Sequence, residues 1–379
     1  MTQGPLDEEI LRREVWPRFA RTRAQYRGIY LANHSLGRPP DRMADDVRAA
    51  LDAWYRDMDG AWEAWFAARE RFRALTAKLV GAPRADTIVP RASAGQGLRA
   101  VLGALEGTPR VVASDGEFDS LDFVLRVWRE RGRIRLELRP WREIGRVHAD
   151  LVVLSSVQYR TGEVVDDLAG RVREAQRAGA LVLLDVYHHA GALPLDLAAL
   201  GADFAVGGSY KYTRGGPGAA WLYVRPELAD TMRTLDTGWF AKEAPFAYER
   251  PDPPRFAAGG DAWLESTPAV LAPAQALAGL ELTLELGVVR LREYNLRQKR
   301  ALAELLAAEG VAAEGAGEAH GAFLTVRHPQ AARLAEALAA QGVATDARGD
   351  RLRLGPDILN PHSELAAAAR ALGAALRQL

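Results

Sequence analysis

The sequence predicts an α/β protein: a large domain built on a mostly parallel sheet covered by helices, joined to a smaller α+β C-terminal domain. Three observations predict it. Runs such as "LVVLSS" and "LVLLDV" are apolar at successive positions, as strands buried on both faces must be. From Thr87 such runs alternate with helical stretches, the pattern of parallel strands joined by crossover helices. A Pro- and Gly-rich stretch, "RPDPPRFAAGGDAW" (250–263), then gives way to long helical patterns and marks a boundary. The expected division is a large domain over 41–250 and a small domain over 251–379 that includes the N-terminal segment 1–40. The cleft between them is the expected site.

Each element follows from its pattern. "DRMADDVRAALDAWYRDM" and "AWEAWFAARERFRALTAKLVGA" carry apolar residues at three-to-four spacing and read as amphipathic helices, the second ending at Gly81. Their Trp54, Trp62 and Trp65 read as packing residues. Strands are expected at "RVVAS", "RIRLELRP", "ADLVVLSSV", "ALVLLDV", "ADFAVGG" and "AAWLYV", with helices at "SLDFVLRVWRERG" and "DDLAGRVREAQRAG". Helical patterns run from Pro268 to about Gly310. "HGAFLTVRH", a helix near 330–341, "DRLRLGP" and the helix "SELAAAARALGAALRQL" complete the C-terminal module. Alanine richness in these stretches is a helix-forming trait, and no internal repeat is present.

Composition narrows the function. The chain has 379 residues, 48% of them hydrophobic, enough for a sizeable core. Its 49 basic and 49 acidic residues leave no net charge, so neither nucleic acid nor an anionic membrane is an expected partner. With no cysteine, disulfides, thiolate metal sites and a cysteine nucleophile or persulfide carrier are excluded. The seven histidines show no metal-binding spacing, and no metal is expected. The charged N-terminus lacks the apolar core of a secretory signal and no membrane-spanning run follows, so the cytoplasm is the expected location.

One lysine needs explaining. In "ADFAVGGSYKYTRGGPGAAWLYV", Lys211 stands between Tyr210 and Tyr212 where an apolar strand meets a glycine loop. A solvated strand-end lysine is the plain alternative, and covalent chemistry requires a lowered pKa and fixed neighbours. Upstream, "ALVLLDVYHHAG" ends a buried strand at Asp185, a carboxylate placed for a pyridinium nitrogen or for capping a helix. "PRASAGQGLRAVLGAL" puts Ser93 and Ala94 at a helix start, suited to a phosphate or to ordinary capping. Phe118 follows the strand "RVVAS" and is placed to stack on a flat ring or to fill the core. Arg351 and Arg353 share a face of a short strand, facing the interdomain cleft or solvent. Together these residues specify a pyridoxal 5'-phosphate site.

At this point the chain resembles the kynureninase family, within the class-V aminotransferase group of pyridoxal phosphate enzymes. "VQYRTG", "DVYHHAGALPLDLAALGADFAVG" and "YKYTRGGPGAAWLYV" follow that family's order and spacing. So do "YLANHSLGRPP" (30–40), "TGWFAKEAPFA" (237–247), "STPAVL" (266–271) and "LRLGP" (352–356). The resemblance implies the aspartate-aminotransferase-like fold and a small-molecule amino-acid substrate. It makes Lys211 the Schiff-base lysine, Asp185 the pyridinium partner, His188 its neighbour and Phe118 the stacking residue. Ser93, Ala94 and Tyr210 match phosphate-binding positions, with Tyr210 also a proton relay. Trp239 and Thr267 match residues that reach the cofactor from the second subunit of a homodimer. Arg353 matches the substrate-carboxylate clamp, and Ser35, in the opening motif, stands on the substrate side.

The implied activity is hydrolysis of the Cβ–Cγ bond of L-kynurenine or a related β-acyl amino acid, giving alanine and an aryl acid such as anthranilate. Departures from the family pattern fall on the substrate side. Ala241 and Lys242 replace a Gly-His pair, Asp59 aligns nearest a family histidine, Leu121 replaces an aspartate, and Thr213 and Arg214 replace Leu-Asn. They leave open another reaction of the same scaffold: a β-lyase, an epimerase or an aminotransferase.

Overall fold

The computed structural model describes residues 4–378; the outermost residues of the expected N- and C-terminal spans, 1–3 and Leu379, lie outside the described residues. Twelve strands are present among them: β1 (Ile29–Tyr30), β2 (Ile88–Arg91), β3 (Arg110–Ser114), β4 (Arg135–Arg139), β5 (Leu151–Ser155), β6 (Leu181–Asp185), β7 (Phe204–Gly208), β8 (Ala220–Val224), β9 (Leu324–Arg327), β10 (Val343–Ala344), β11 (Asp346–Arg348) and β12 (Arg351–Leu354).

Seven of them form one sheet in the order β2-β8-β7-β6-β5-β3-β4. The five strands from β3 to β7 run parallel, and β8 is antiparallel to both β7 and β2. The mostly parallel sheet expected from the doubly apolar runs is therefore present. Every residue of β5, β7 and β8 is buried, because apolar clusters cover both faces. β4 is the exception: it lies at the sheet edge and alternates exposed and half-buried residues.

Parallel strands send their C-terminal ends to a common edge, and the chain segments leaving that edge carry the chemistry. Phe118 follows β3, Ser155 ends β5, Asp185 ends β6, and Lys211 follows β7 by three residues. The helix Ala94–Leu102 opens beside them with Ser93 as its N-cap, accepting a hydrogen bond from the Gln96 N–H at 3.3 Å.

A second sheet, β11-β12-β9, is antiparallel and packs on the helices Ala331–Ala340 and His362–Gln378. Arg353 lies on its middle strand, so it is not a residue of an exposed edge. The short β1 pairs in parallel with β10, tying the opening motif to this module.

The helical patterns expected after Pro268 are two helices, Leu271–Leu286 and Val288–Ala308, separated at Gly287, whose φ is +81°. Trp65 and Trp62 pack as expected, whereas Trp54 is 51% exposed while meeting Trp65 edge-on.

Candidate functional site

Lys211 is 6% exposed, and its Nζ lies 2.7 Å from His188 Nε2. Burial pulls the ammonium pKa down to about 7, the Asp185 carboxylate opposes the shift, and the Arg353 charge adds to it. A near-neutral amine is therefore available at physiological pH, which a solvated lysine does not offer. His188 is held well below its ordinary pKa by burial and by the Lys211 charge, so it is neutral. With Nε2 accepting from Lys211, its proton belongs on Nδ1, which faces Tyr212 Oη at 3.2 Å.

Three rings surround the amine. Lys211 Nζ stands 5.8 Å from the Phe118 centroid, 5.5 Å from Tyr187 and 5.7 Å from Tyr210. Phe118 also meets Tyr159 edge-on at 5.2 Å. Tyr210 has its phenol pKa raised by burial.

Asp185 is buried, and that burial raises its pKa while the Tyr187 N–H and the Lys211 charge lower it. Its Oδ1 accepts the Tyr187 N–H at 2.8 Å, and Oδ2 takes no hydrogen bond from the described residues. Beside it, Glu117 accepts from Ser155 N at 2.7 Å and from Ser155 Oγ at 2.5 Å. Burial first, then the Asp185 charge, push Glu117 up to about 8.

Lys211, Tyr210, Asp185, His188, Phe118, Ser93 and Ala94 all line one cavity of about 590 Å³ including its mouth, together with Tyr159 and Tyr187. The structure thus brings together seven residues singled out from sequence. Arg353 and Ser35 meet in an adjoining network centred on Asp346. Arg353 donates from Nε and Nη2 to Asp346 at 2.8 and 2.5 Å, and from Nη1 to the Tyr159 carbonyl at 2.6 Å. Ser35 Oγ donates to Asp346 at 2.5 Å and His34 Nε2 lies 2.8 Å from it. Burial and the Arg353 charge pull His34 down to about 4, so it donates as a neutral imidazole. Asp346 is held well below the usual carboxylate range: burial alone would raise it, but His34 and Arg353 outweigh burial. Arg351, expected to share the face of Arg353, pairs instead with Glu314 at 2.6 Å.

Trp239 and Thr267 do not line the Lys211 cavity. They bond each other, Nε1 to Oγ1 at 3.3 Å, and Thr267 lines a neighbouring groove that shares Ala92 and Gly218 with the cavity. The departures from the family pattern also lie outside the cavity lining. Lys242 lines a separate groove, Leu121 is a core residue, Asp59 is exposed, and Arg214 pairs with Asp357.

Sequence reasoning missed Glu117, Tyr187, His34 and Asp346. Tyr187 had a signal, lying two residues from Asp185, and Asp346 lies seven residues from Arg353; Glu117 and His34 gain their roles from partners far away in the chain.

A lysine with a lowered pKa at the C-terminal edge of a parallel sheet, beside a carboxylate and a helix N-terminus, is an arrangement suited to an amine that captures a carbonyl. A family model described as aminotransferase class-V matches residues 55–371. A kynureninase from Deinococcus radiodurans is 30% identical over 325 residues, 80% of this chain and 78% of that protein. A kynureninase from Salinispora tropica is 32% identical over 71% of this chain and 69% of its own. An uncharacterized aminotransferase, YcbU, from Bacillus subtilis is 30% identical over 71% of this chain and 75% of its own. Among solved structures, a mutant of the cystine C-S lyase C-DES aligns with TM-score 0.82 at 18% identity, covering 94% of this chain and 98% of that one. The cysteine desulfurase of Thermococcus onnurineus aligns with TM-score 0.81 at 18% identity over the whole of both chains.

The chain belongs to the class-V aminotransferase family. That family works with pyridoxal 5'-phosphate, and the cavity fits this cofactor. Among the described residues nothing donates to Asp185 Oδ2, which would accept the N–H of a ring nitrogen, and the helix start at Ser93 and Ala94 lines the same cavity and would suit a phosphate. Aromatic walls flank the lysine. Among the described residues no cluster of His, Asp or Glu forms a metal site, and no helix is long and apolar enough to cross a membrane.

Proposed function

We propose that the protein is a kynureninase-like hydrolase that cleaves the Cβ–Cγ bond of L-kynurenine or a related β-acyl amino acid. The carrying observation is similarity to kynureninases, over 80% of the chain for the first of them, together with the burial of Lys211 and Asp185 in one cavity beside the Arg353 network.

Bound at Lys211, pyridoxal 5'-phosphate supplies an electron sink for the charge released at the substrate Cα. In this reading Asp185 keeps the ring nitrogen protonated by a charge-assisted hydrogen bond. Ser93, Ala94 and Tyr210 hold the phosphate. The Lys211 amine, with its pKa near 7, would remove the substrate Cα proton and later return one. His188 accepts a hydrogen bond from Lys211 and aims the amine. Arg353 binds the substrate carboxylate. Asp346, Ser35 and the Tyr159 carbonyl take N–H groups of Arg353 and fix the guanidinium in place. One water adds to the γ-carbonyl, the Cβ–Cγ bond breaks, and alanine and the aryl acid leave. A homodimer, with Trp239 and Thr267 serving the partner's site, belongs to the same reading.

The test is to mix L-kynurenine with cofactor-loaded protein and follow anthranilate fluorescence. Turnover that disappears in Lys211→Ala supports the proposal. A perturbed cofactor spectrum without anthranilate refutes the hydrolase and leaves the second reading, a β-lyase, epimerase or aminotransferase acting on another amino acid. The substrate-side departures and the similarity to YcbU favour that second reading. A desulfurase working through a cysteine persulfide is excluded, because the chain has no cysteine.

A further inference from the structure

Two hydrogen-bonded networks, one around Lys211 and one around Arg353, share a single aromatic ring. Phe323 stands immediately before β9 and is fully buried. Its ring meets His188 edge-on at 5.7 Å and His34 at 4.8 Å between centroids. The Arg353 guanidinium lies over the same ring at 5.5 Å. His188 is the partner of Lys211 Nζ, and His34 is the partner of Asp346, which holds Arg353.

The ring has little freedom. A Cβ at Gly162 would stand 3.2 Å from its Cε2 and Cζ, so the segment following β5 closes tightly on it. The loop that leads to Phe323, residues 315–321, is gripped by two buried basic side chains seven residues apart on one face of the helix Val288–Ala308. Lys299 Nζ donates to the Gly315 and Gly321 carbonyls at 2.7 and 2.6 Å. Arg292 donates to the carbonyls of Gly321 and Glu318 at 3.0 Å each and of His320 at 2.7 Å. The loop in turn bonds the segment after Tyr159: the Gly321 N–H donates to the Gly162 carbonyl at 2.6 Å, and the Val164 N–H to the Ala319 carbonyl at 2.9 Å.

We propose that Phe323 is a positioning residue that sets the Lys211 amine and the Arg353 guanidinium relative to each other, acting through His188 and His34, with Lys299 and Arg292 fixing the loop that delivers its ring. The proposal rests on the reading above, in which Lys211 binds pyridoxal 5'-phosphate and Arg353 the substrate carboxylate. Two groups that act on one small substrate must keep their spacing, because a misplacement of about 1 Å is costly to the reaction. A flat ring offers a face and an edge, so it supports both imidazoles at once; a leucine fills much of the volume but offers neither.

The experiment follows Phe323→Leu by two readouts. The first is binding of pyridoxal 5'-phosphate to the apoprotein, by absorbance titration. The second is the affinity of the holoprotein for L-alanine relative to L-alaninamide, which lacks the carboxylate, read from the change in the cofactor spectrum. Phe323→Leu is expected to weaken the cofactor about fivefold and to lower the alanine-to-alaninamide ratio about fivefold. The first loss is expected to vanish in a His188→Ala background and the second in a His34→Ala background. Full losses in those backgrounds, or a lowered urea midpoint with both readouts unchanged, make Phe323 a core residue only and overturn the proposal. Lys299→Met keeps the ring and releases the loop, and it is expected to move both readouts the same way by about twofold. No movement overturns the role given to the loop. A wild-type preference for L-alanine that survives Arg353→Ala would overturn the carboxylate clamp itself, whereas a preference lost in Arg353→Ala and unmoved in Phe323→Leu would overturn the role of Phe323 alone.

Discussion

At the scale of single residues the site is governed by burial, which moves its acids and bases in opposite directions. Lys211 falls toward neutrality while Glu117 rises to about 8, and both shifts begin with loss of water. Glu117 yields a prediction with a definite sign. Its folded pKa lies above the ordinary 4.5, so between those values the folded protein holds a proton that the unfolded chain has released. Stability from this group is complete below about 4.5 and is lost as pH rises toward about 8. Glu117→Gln carries no such proton, yet its amide oxygen can still accept from Ser155. The stability of the Gln variant relative to wild type is therefore expected to climb across that window, read as the difference in urea midpoints at about pH 5 and about pH 8.5. A difference that stays flat with pH would show that Glu117 ionises normally in the folded protein.

At the scale of elements, backbone conformation decides where helices stop. Gly287 ends Leu271–Leu286 and opens Val288–Ala308 at φ +81° and ψ 126°, a region closed to residues with a Cβ. A Cβ built there meets only Arg290 Cδ at 3.9 Å, so Gly287→Ala isolates backbone strain from steric clash. It is expected to cost about 1–3 kcal/mol in denaturant unfolding, with the cofactor spectrum unchanged. No loss of stability would mean that the helix pair bends elsewhere. This break also shows what sequence pattern can and cannot disclose. Four of the five parallel strands were legible because strands buried on both faces must be apolar throughout, as in "LVLLDV" and "ADFAVGG", whereas β4, at the sheet edge, is a partly exposed β-rich run. A helical pattern interrupted by a single residue does not disclose where one helix ends and the next begins. The N-terminal segment was illegible for a related reason: Leu11–Val15 forms a π turn that shifts the spacing of its apolar residues. Those residues nevertheless pack, with Trp16 and Phe19, on Leu282, Leu286 and Ile358. In the site, Lys211, Asp185 and Ser93 announce themselves by local position at strand ends and helix starts. Asp346 gains its role from Arg353, seven residues on, and from His34, 312 residues away, and Glu117 from Ser155, 38 residues away.

At the scale of the whole molecule, two residues remain apart from the chemistry. Trp239 and Thr267 hydrogen-bond each other beside a groove that abuts the Lys211 cavity but does not open into its lining. Within one chain they reach none of the groups around Lys211. The proposed homodimer gives them a task, because each subunit would then present them to the other's cofactor. That arrangement makes a prediction that a self-contained site cannot share. A Lys211→Ala subunit lacks the amine but keeps Trp239 and Thr267, whereas a Trp239→Ala/Thr267→Ala subunit has the reverse defect. In a hybrid dimer both defects fall on one site, and the other site is intact. Equal mixing with subunit exchange makes half of the dimers hybrids with one working site each, so activity is expected to recover to about a quarter of the wild-type value. Activity that remains at the level of the separate parents after exchange would place Trp239 and Thr267 outside the partner's site.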